Sequence, residues 1–188
     1  RPEYLAAAKR ARDYIINHFI DSEYGGSYWS VDYLGNAKDT KKQFYAIGFM
    51  LYGMSEYVRA AITDLRTPQT EIEETIEISF QLFDTIEVHS LDRINNGYIE
   101  AQTREWGEIA DMRLSDLDAN YPKSQNTHLH IMEPYTNLLR CLNEMETKGM
   151  SVDQNRKQQV ADALRNIICI FTDRILNPDT HHLDLFFE

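Results

Sequence analysis

Apolar residues recur at intervals of three and four along five segments of the chain, the spacing that gives a helix one buried face. The first segment runs from Pro2 to about Phe19, with Leu5, Ala8, Ile15, Ile16 and Phe19 on the repeat and Pro2 well placed for a helix start. The others cover Lys41 to Arg59, Glu71 to His89, Asn126 to about Glu146, and Asp153 to Leu176. Five long helices are predicted.

The links between them are of two kinds. Short ones join the second helix to the third, around Pro68, and the fourth to the fifth, around Gly149. Long ones follow the first, third and fifth helices and resemble one another. Asp21 to Asp32 and Asp92 to Ala101 each read as an acidic turn, a glycine and an aromatic, strand-like run, and Asn177 to Phe187 repeats the theme without the glycine. Gly25-Gly26 and Asn96-Gly97 supply the positive φ that a tight turn requires, so a small hairpin is expected in each long loop. The unit is helix, hairpin loop, helix, short turn, at a period of roughly 70–85 residues. Such a pair cannot bury its apolar face alone and needs stacked neighbours, as in solenoids and closed toroids. One rim then carries the long loops, where binding residues tend to sit, and it includes the starts of the second and fourth helices.

A length of 188 residues suits one domain. The net charge of −11, with basic residues scattered, argues against nucleic acid and anionic membranes as partners. No apolar run approaches the roughly 18 residues that span a bilayer, and Arg1-Pro2-Glu3-Tyr4 does not read as a signal peptide. Cys141 and Cys169 lie in apolar helical patterns and suit two buried thiols in a reducing compartment. A cytoplasmic location is expected. The chain starts without a methionine on a helix-like stretch and stops inside the apolar run ending at Glu188, so both ends read as cut.

The fourth helix carries the candidate chemistry. At about 100° per residue, Asn126, His130, Glu133 and Asn137 share a stripe flanked by Leu129, Met132, Thr136 and Leu139, with few Lys or Glu nearby, and are expected to face an enclosed polar cavity. Pro134 removes the donor that would meet the His130 carbonyl, so a bend is expected there. A His–Glu pair one turn apart can equally be a mutually satisfied buried pair. His128 lies on another face, which argues against a two-histidine metal site. On the second helix Phe49 and Tyr52 suit core packing, whereas Tyr45 stands nearer the rim, where a phenol can stack on a sugar and hydrogen-bond a hydroxyl. Trp29, Tyr98 and Trp106 could be hairpin plugs or stacking platforms. The acidic stretch 105–116 reads as a solvated loop.

Taken together, Asn126-Thr127-His128-Leu129-His130-x-x-Glu133, Lys41-Lys42-Gln43-x-Tyr45 and Gly25-Gly26-x-Tyr28-Trp29 resemble the N-acylglucosamine 2-epimerase superfamily, above all its cellobiose 2-epimerase branch. The resemblance implies an all-α fold, about half of an (α/α)6 toroid with small β-hairpins in the long loops, forming a single partial domain over 1–188 truncated at both ends. It also implies cofactor- and metal-independent inversion at C2 of a reducing sugar. One histidine removes the C2 proton to give an enediolate, and a second returns a proton. By the same resemblance Asn126, Glu133 and Tyr45 bind substrate and His130 assists ring opening or holds O1. The family's catalytic arginine and both proton-transferring histidines fall outside these residues, so the chain alone is expected to be inactive, and its uncovered helix faces invite self-association. A non-catalytic carbohydrate-binding domain and a glycosidase on the same toroid remain alternatives.

Overall fold

All five helices form and, with the π-helical turns that extend the first and fifth counted in, fall within two residues of the expected bounds except at the start of the second. In the computed structural model, which describes residues 2–187, they are α1 (Pro2–Tyr14), α2 (Phe44–Ala61), α3 (Gln69–His89), α4 (Gln125–Thr147) and α5 (Gln154–Ile170), with π-helical turns at Ile15–Phe19 and Phe171–Ile175. Six short strands accompany them: β1 (Ser30–Val31), β2 (Ala37–Asp39), β3 (Lys42–Gln43), β4 (Ala101–Gln102), β5 (Lys123–Ser124) and β6 (Phe186–Phe187). The start of α2 shifts to Phe44 because Lys42 and Gln43 are extended and paired. Arg1 and Glu188, the ends of the domain drawn from the sequence, lie outside the described residues.

The helices form two layers. α2 and α4 lie side by side in one, while α1 and α3 pack on α2 and α5 packs on α4 to make the other. The core between the layers comprises Ile47, Leu51 and Val58 of α2, Ile86 of α3, Ile131, Tyr135 and Leu138 of α4 and Val160 and Ile167 of α5, each fully buried. Burial of one such side chain is worth about 1.5–3 kcal/mol, so this seam holds the array together. Ser124 caps α4 by accepting from Thr127 N, Asp153 caps α5, and Gly149, at φ 76°, ends the turn after α4.

The repeat is visible in the loops. Single β-bridges, Ile20–Ser27, Leu91–Tyr98 and Leu176–Leu183, close each acidic turn. The residue two before the second bridge partner takes a left-handed conformation each time: Gly25 (φ 77°), Asn96 (φ 61°) and His181 (φ 58°). Beyond these turns β1 pairs locally with β2, whereas β4 pairs back to β3 and β6 back to β5. Each later loop is thereby stitched to the strand in front of the preceding repeat's α2 or α4. Ion pairs brace each loop within itself: Lys42 reaches Asp21, both fully buried, and Lys123 reaches a part-exposed Asp92, both at 2.8 Å. Arg104 of the second loop also donates to Asp21, at 2.8 Å. Burial alone would raise the Asp21 carboxyl, but the donors from Arg104, Lys42 and two backbone amides hold it well below the usual carboxylate range.

The thiols differ from expectation. Cys141 is buried, and burial pushes its pKa up to about 12. Cys169 is exposed, because α5 turns Val160, Ala163, Ile167 and Ile170 inward and residue 169 to the opposite face.

Candidate functional site

Two features of the sequence meet where α2 crosses α4. Pro134 has no N–H for the His130 carbonyl, and that carbonyl faces Gly48, where an added Cβ would stand 2.5 Å from the oxygen. The missing side chain of one helix admits the freed carbonyl of the other, and α4 continues through the proline to Thr147. This close approach carries the His130 ring onto α2, where Tyr45 meets it edge-on and Phe49 at a tilt, each with ring centroids 4.8 Å away.

The Nδ1 of His130 lies 2.8 Å from Glu133 Oε2, a geometry that fixes a proton on Nδ1. Among the described residues nothing hydrogen-bonds Nε2, and the side chain is 20% exposed beside a Glu133 side chain that is 39% exposed. The ring is thus oriented by a carboxylate and two aromatic rings while its second nitrogen stays open. Such a group can donate to or accept from a bound hydroxyl.

The expected stripe on α4 divides. His130 and Glu133 stay on the open face with Tyr45, and Asn126 is exposed in the first turn. Asn137 is buried and bonded between the helices, donating to Ser55 Oγ at 2.9 Å and accepting from Arg59 at 3.3 Å. Asn126 borders a separate cavity of about 140 Å³, shared with Glu100, Arg113, Asp118 and Tyr121. The structure therefore brings Tyr45, His130 and Glu133 together and places Asn126 one turn nearer the rim. Phe49, expected in the core, is 42% exposed and belongs to this face.

Other candidates are structural. His128 is fully buried; its Nε2 accepts from Tyr98 N at 2.9 Å, so Nδ1 carries the proton and donates to the Ser124 carbonyl at 2.7 Å. Burial pushes its pKa down to about 4. Tyr98 is a plug, buried with its hydroxyl on Glu87 at 2.7 Å, and Trp106 stacks on His89 at 3.9 Å while its indole donates to the Tyr24 carbonyl. Among the described residues no cluster of His, Cys, Asp and Glu is placed to hold a metal ion, and no helix is long and apolar enough to cross a membrane.

Sequence reasoning missed Glu100. The signal was in the repeat: two residues after the bridge partners Ser27 and Leu183 stand Trp29 and Leu185, and the same place after Tyr98 holds a carboxylate.

No protein-family model matches the chain. A cellobiose 2-epimerase of Bacteroides fragilis is 50% identical over 188 residues, all of this chain and 42% of that protein. The solved cellobiose 2-epimerase of Bacillus thermoamylovorans B4167 superposes with a TM-score of 0.82 at 30% identity, over all of this chain and 43% of that one. In sequence and in fold the chain is similar to cellobiose 2-epimerases over its whole length. A further cellobiose 2-epimerase, from Ruminococcus albus, is 35% identical over 99% of this chain and 42% of its own length. The resemblance drawn from the motifs is borne out, and so is the partial α/α toroid. The chain spans well under half the length of these cellobiose 2-epimerases.

Proposed function

We propose that the chain is part of a carbohydrate 2-epimerase, an isomerase interconverting gluco and manno configurations at C2 of a reducing sugar. In this reading it supplies a sugar-holding wall rather than the proton-transferring groups. The observation that supports it is the similarity to proteins named cellobiose 2-epimerase, which runs through the whole chain and includes the helices carrying Tyr45, Asn126, His130 and Glu133.

An opened sugar has an aldehyde at C1 that acidifies the C2 proton. A histidine outside this chain takes that proton to give an enediolate, and another returns one on the opposite face. His130 assists earlier. With Nδ1–H held by Glu133, Nε2 accepts the O1 proton of the cyclic sugar as C1=O1 forms and the C1–O5 bond breaks, O5 taking a proton from water; His130 afterwards donates a hydrogen bond to O1, where negative charge develops. Tyr45 and Asn126 orient the sugar from the two helix starts. No cofactor is required, the partner is a small sugar, and the chain alone is inactive. A reducing, cytoplasmic setting suits its two free thiols.

The test is incubation of the full-length parent with cellobiose, and separately with N-acetylglucosamine, in heavy water, followed by NMR. Loss of the C2 proton signal with appearance of the manno epimer from one sugar is expected and identifies the substrate class. Folded parent that exchanges neither sugar contradicts both substrates and moves weight to a carbohydrate-binding role.

A further inference from the structure

Glu100 sits in the second rim loop and is 5% exposed. Among the described residues no cation pairs with it. Its Oε1 accepts from Ser124 N at 2.9 Å and its Oε2 from Thr127 Oγ1 at 2.6 Å. Ser124 is the cap of α4, and these two residues flank Asn126 and stand within two turns before His130. The main chain of the same residue reaches the other helix. The Glu100 carbonyl accepts from Phe44 N, the first residue of α2 and the neighbour of Tyr45, at 3.0 Å, while Glu100 N donates to the Pro122 carbonyl at 2.9 Å.

One residue therefore contacts the start of both helices that bear the site. We propose that Glu100 is a positioning residue which ties the first turns of α2 and α4 together and so sets where Tyr45 stands relative to Asn126 and His130. This deepens the epimerase reading and rests on it. The main-chain half of this contact recurs at Leu185, whose carbonyl accepts from Gln125 N at 2.9 Å, but Trp29 and Leu185, at the corresponding repeat positions, have no carboxylate to offer, so the side-chain half that completes the tie exists at one repeat of the three. A carboxylate suits the task because the orphan N–H groups of a helix start are satisfied by an acceptor and lie at the positive end of the helix dipole. It is held there against the cost of burial, which pushes its pKa up to about 7. Around it, Arg113, Asp118 and Tyr121 of the loop border the same cavity as Asn126, and Asp118 adds to the upward push.

The experiment compares wild type, Glu100→Ala and Glu100→Gln in the full-length parent by two readouts: amide hydrogen exchange at Ser124 and Thr127, and kcat and KM for C2 exchange of cellobiose. Glu100→Ala is expected to expose the Ser124 amide, and with it the Thr127 amide that the Ser124 side chain caps, and to lower kcat/KM by about 10- to 100-fold, the effect of displacing positioned groups by up to an ångström. Glu100→Gln keeps an acceptor for Ser124 and places its amide on the Thr127 hydroxyl, so it is expected to restore most of the protection and of kcat/KM. Should Glu100→Ala not fold, Thr127→Val takes its place, since it removes one of the two bonds and keeps the side-chain shape. Unchanged protection and a kcat/KM within twofold of wild type in the variant that folds overturns the proposal. Wild-type parent without epimerisation of any sugar overturns the functional reading instead, and the exchange data still decide whether Glu100 holds the helix starts.

Discussion

Glu100 and His128, at the start of α4, respond to pH in opposite senses. The Glu100 carboxyl, at about 7 in the fold, lies above the roughly 4.3 of an unfolded chain, so folding takes up a proton and the group's contribution weakens as pH rises between those values. His128, at about 4 in the fold, lies below the usual value of about 6.5. The unfolded chain then binds the proton first, and stability falls as pH drops through that window. Each effect is on the order of 3 kcal/mol, and across about pH 4.5–6.5 they cancel. Glu100→Gln in the parent removes one of them. Its denaturation midpoint is expected to fall more steeply than wild type's on acidification from pH 6.5 to 4.5, and its stability relative to wild type to be highest near pH 8; parallel profiles would contradict a buried, titrating Glu100. Sequence conveys such residues unevenly. The left-handed positions at Gly25 and Asn96 were legible because few residues tolerate that conformation, and His130 with Glu133 because one helical turn brings them together. Glu100 was not, since its partners come from a segment 24 residues away.

At the scale of the elements, the site depends on how closely α2 approaches α4. Gly48 and Pro134 are individually ordinary readings, core contact and a proline bend, and only their juxtaposition explains why the His130 ring rests on Tyr45 and Phe49. The helices were legible from apolar spacing almost to the residue. The strand pairing was not: the sequence showed turns and alternation, but which strand meets which is set by the stacking of repeats, so β3–β4 and β5–β6 emerged only in the fold. Gly48→Ala puts a methyl against a backbone oxygen that cannot turn aside. It is expected to cost about 1–3 kcal/mol of stability and to lower kcat in the parent by displacing His130, measurable by denaturant melts and turnover. Asp21→Ala tests the loop stitching. It leaves Lys42 buried without its carboxylate and takes two bonds from Arg104, which keeps Glu23 at 2.8 Å, and a loss of about 3–5 kcal/mol is expected; a change under about 1 kcal/mol would show that the ion pairs add little.

At the scale of the whole molecule, two layers with a shared rim position the site, and one flank is left uncovered. Leu5 and Ala8 of α1, Ile15 of the π-helical turn that follows it, and Met54, Tyr57 and Ala60 of α2 border an open groove of about 640 Å³. In the cellobiose 2-epimerase relatives more than half of the protein lies outside the matched part. The isolated chain is therefore expected to associate with itself in a concentration-dependent manner by sedimentation, and the parent to do so less through this flank. The most direct measurement is C2-proton exchange of cellobiose in heavy water, run side by side with the parent and with the 188-residue chain at equal concentration. Exchange by the parent and none by the folded chain is the predicted result. Exchange catalysed by the chain itself, or its absence in both, would contradict the division between a sugar-holding wall here and proton transfer elsewhere.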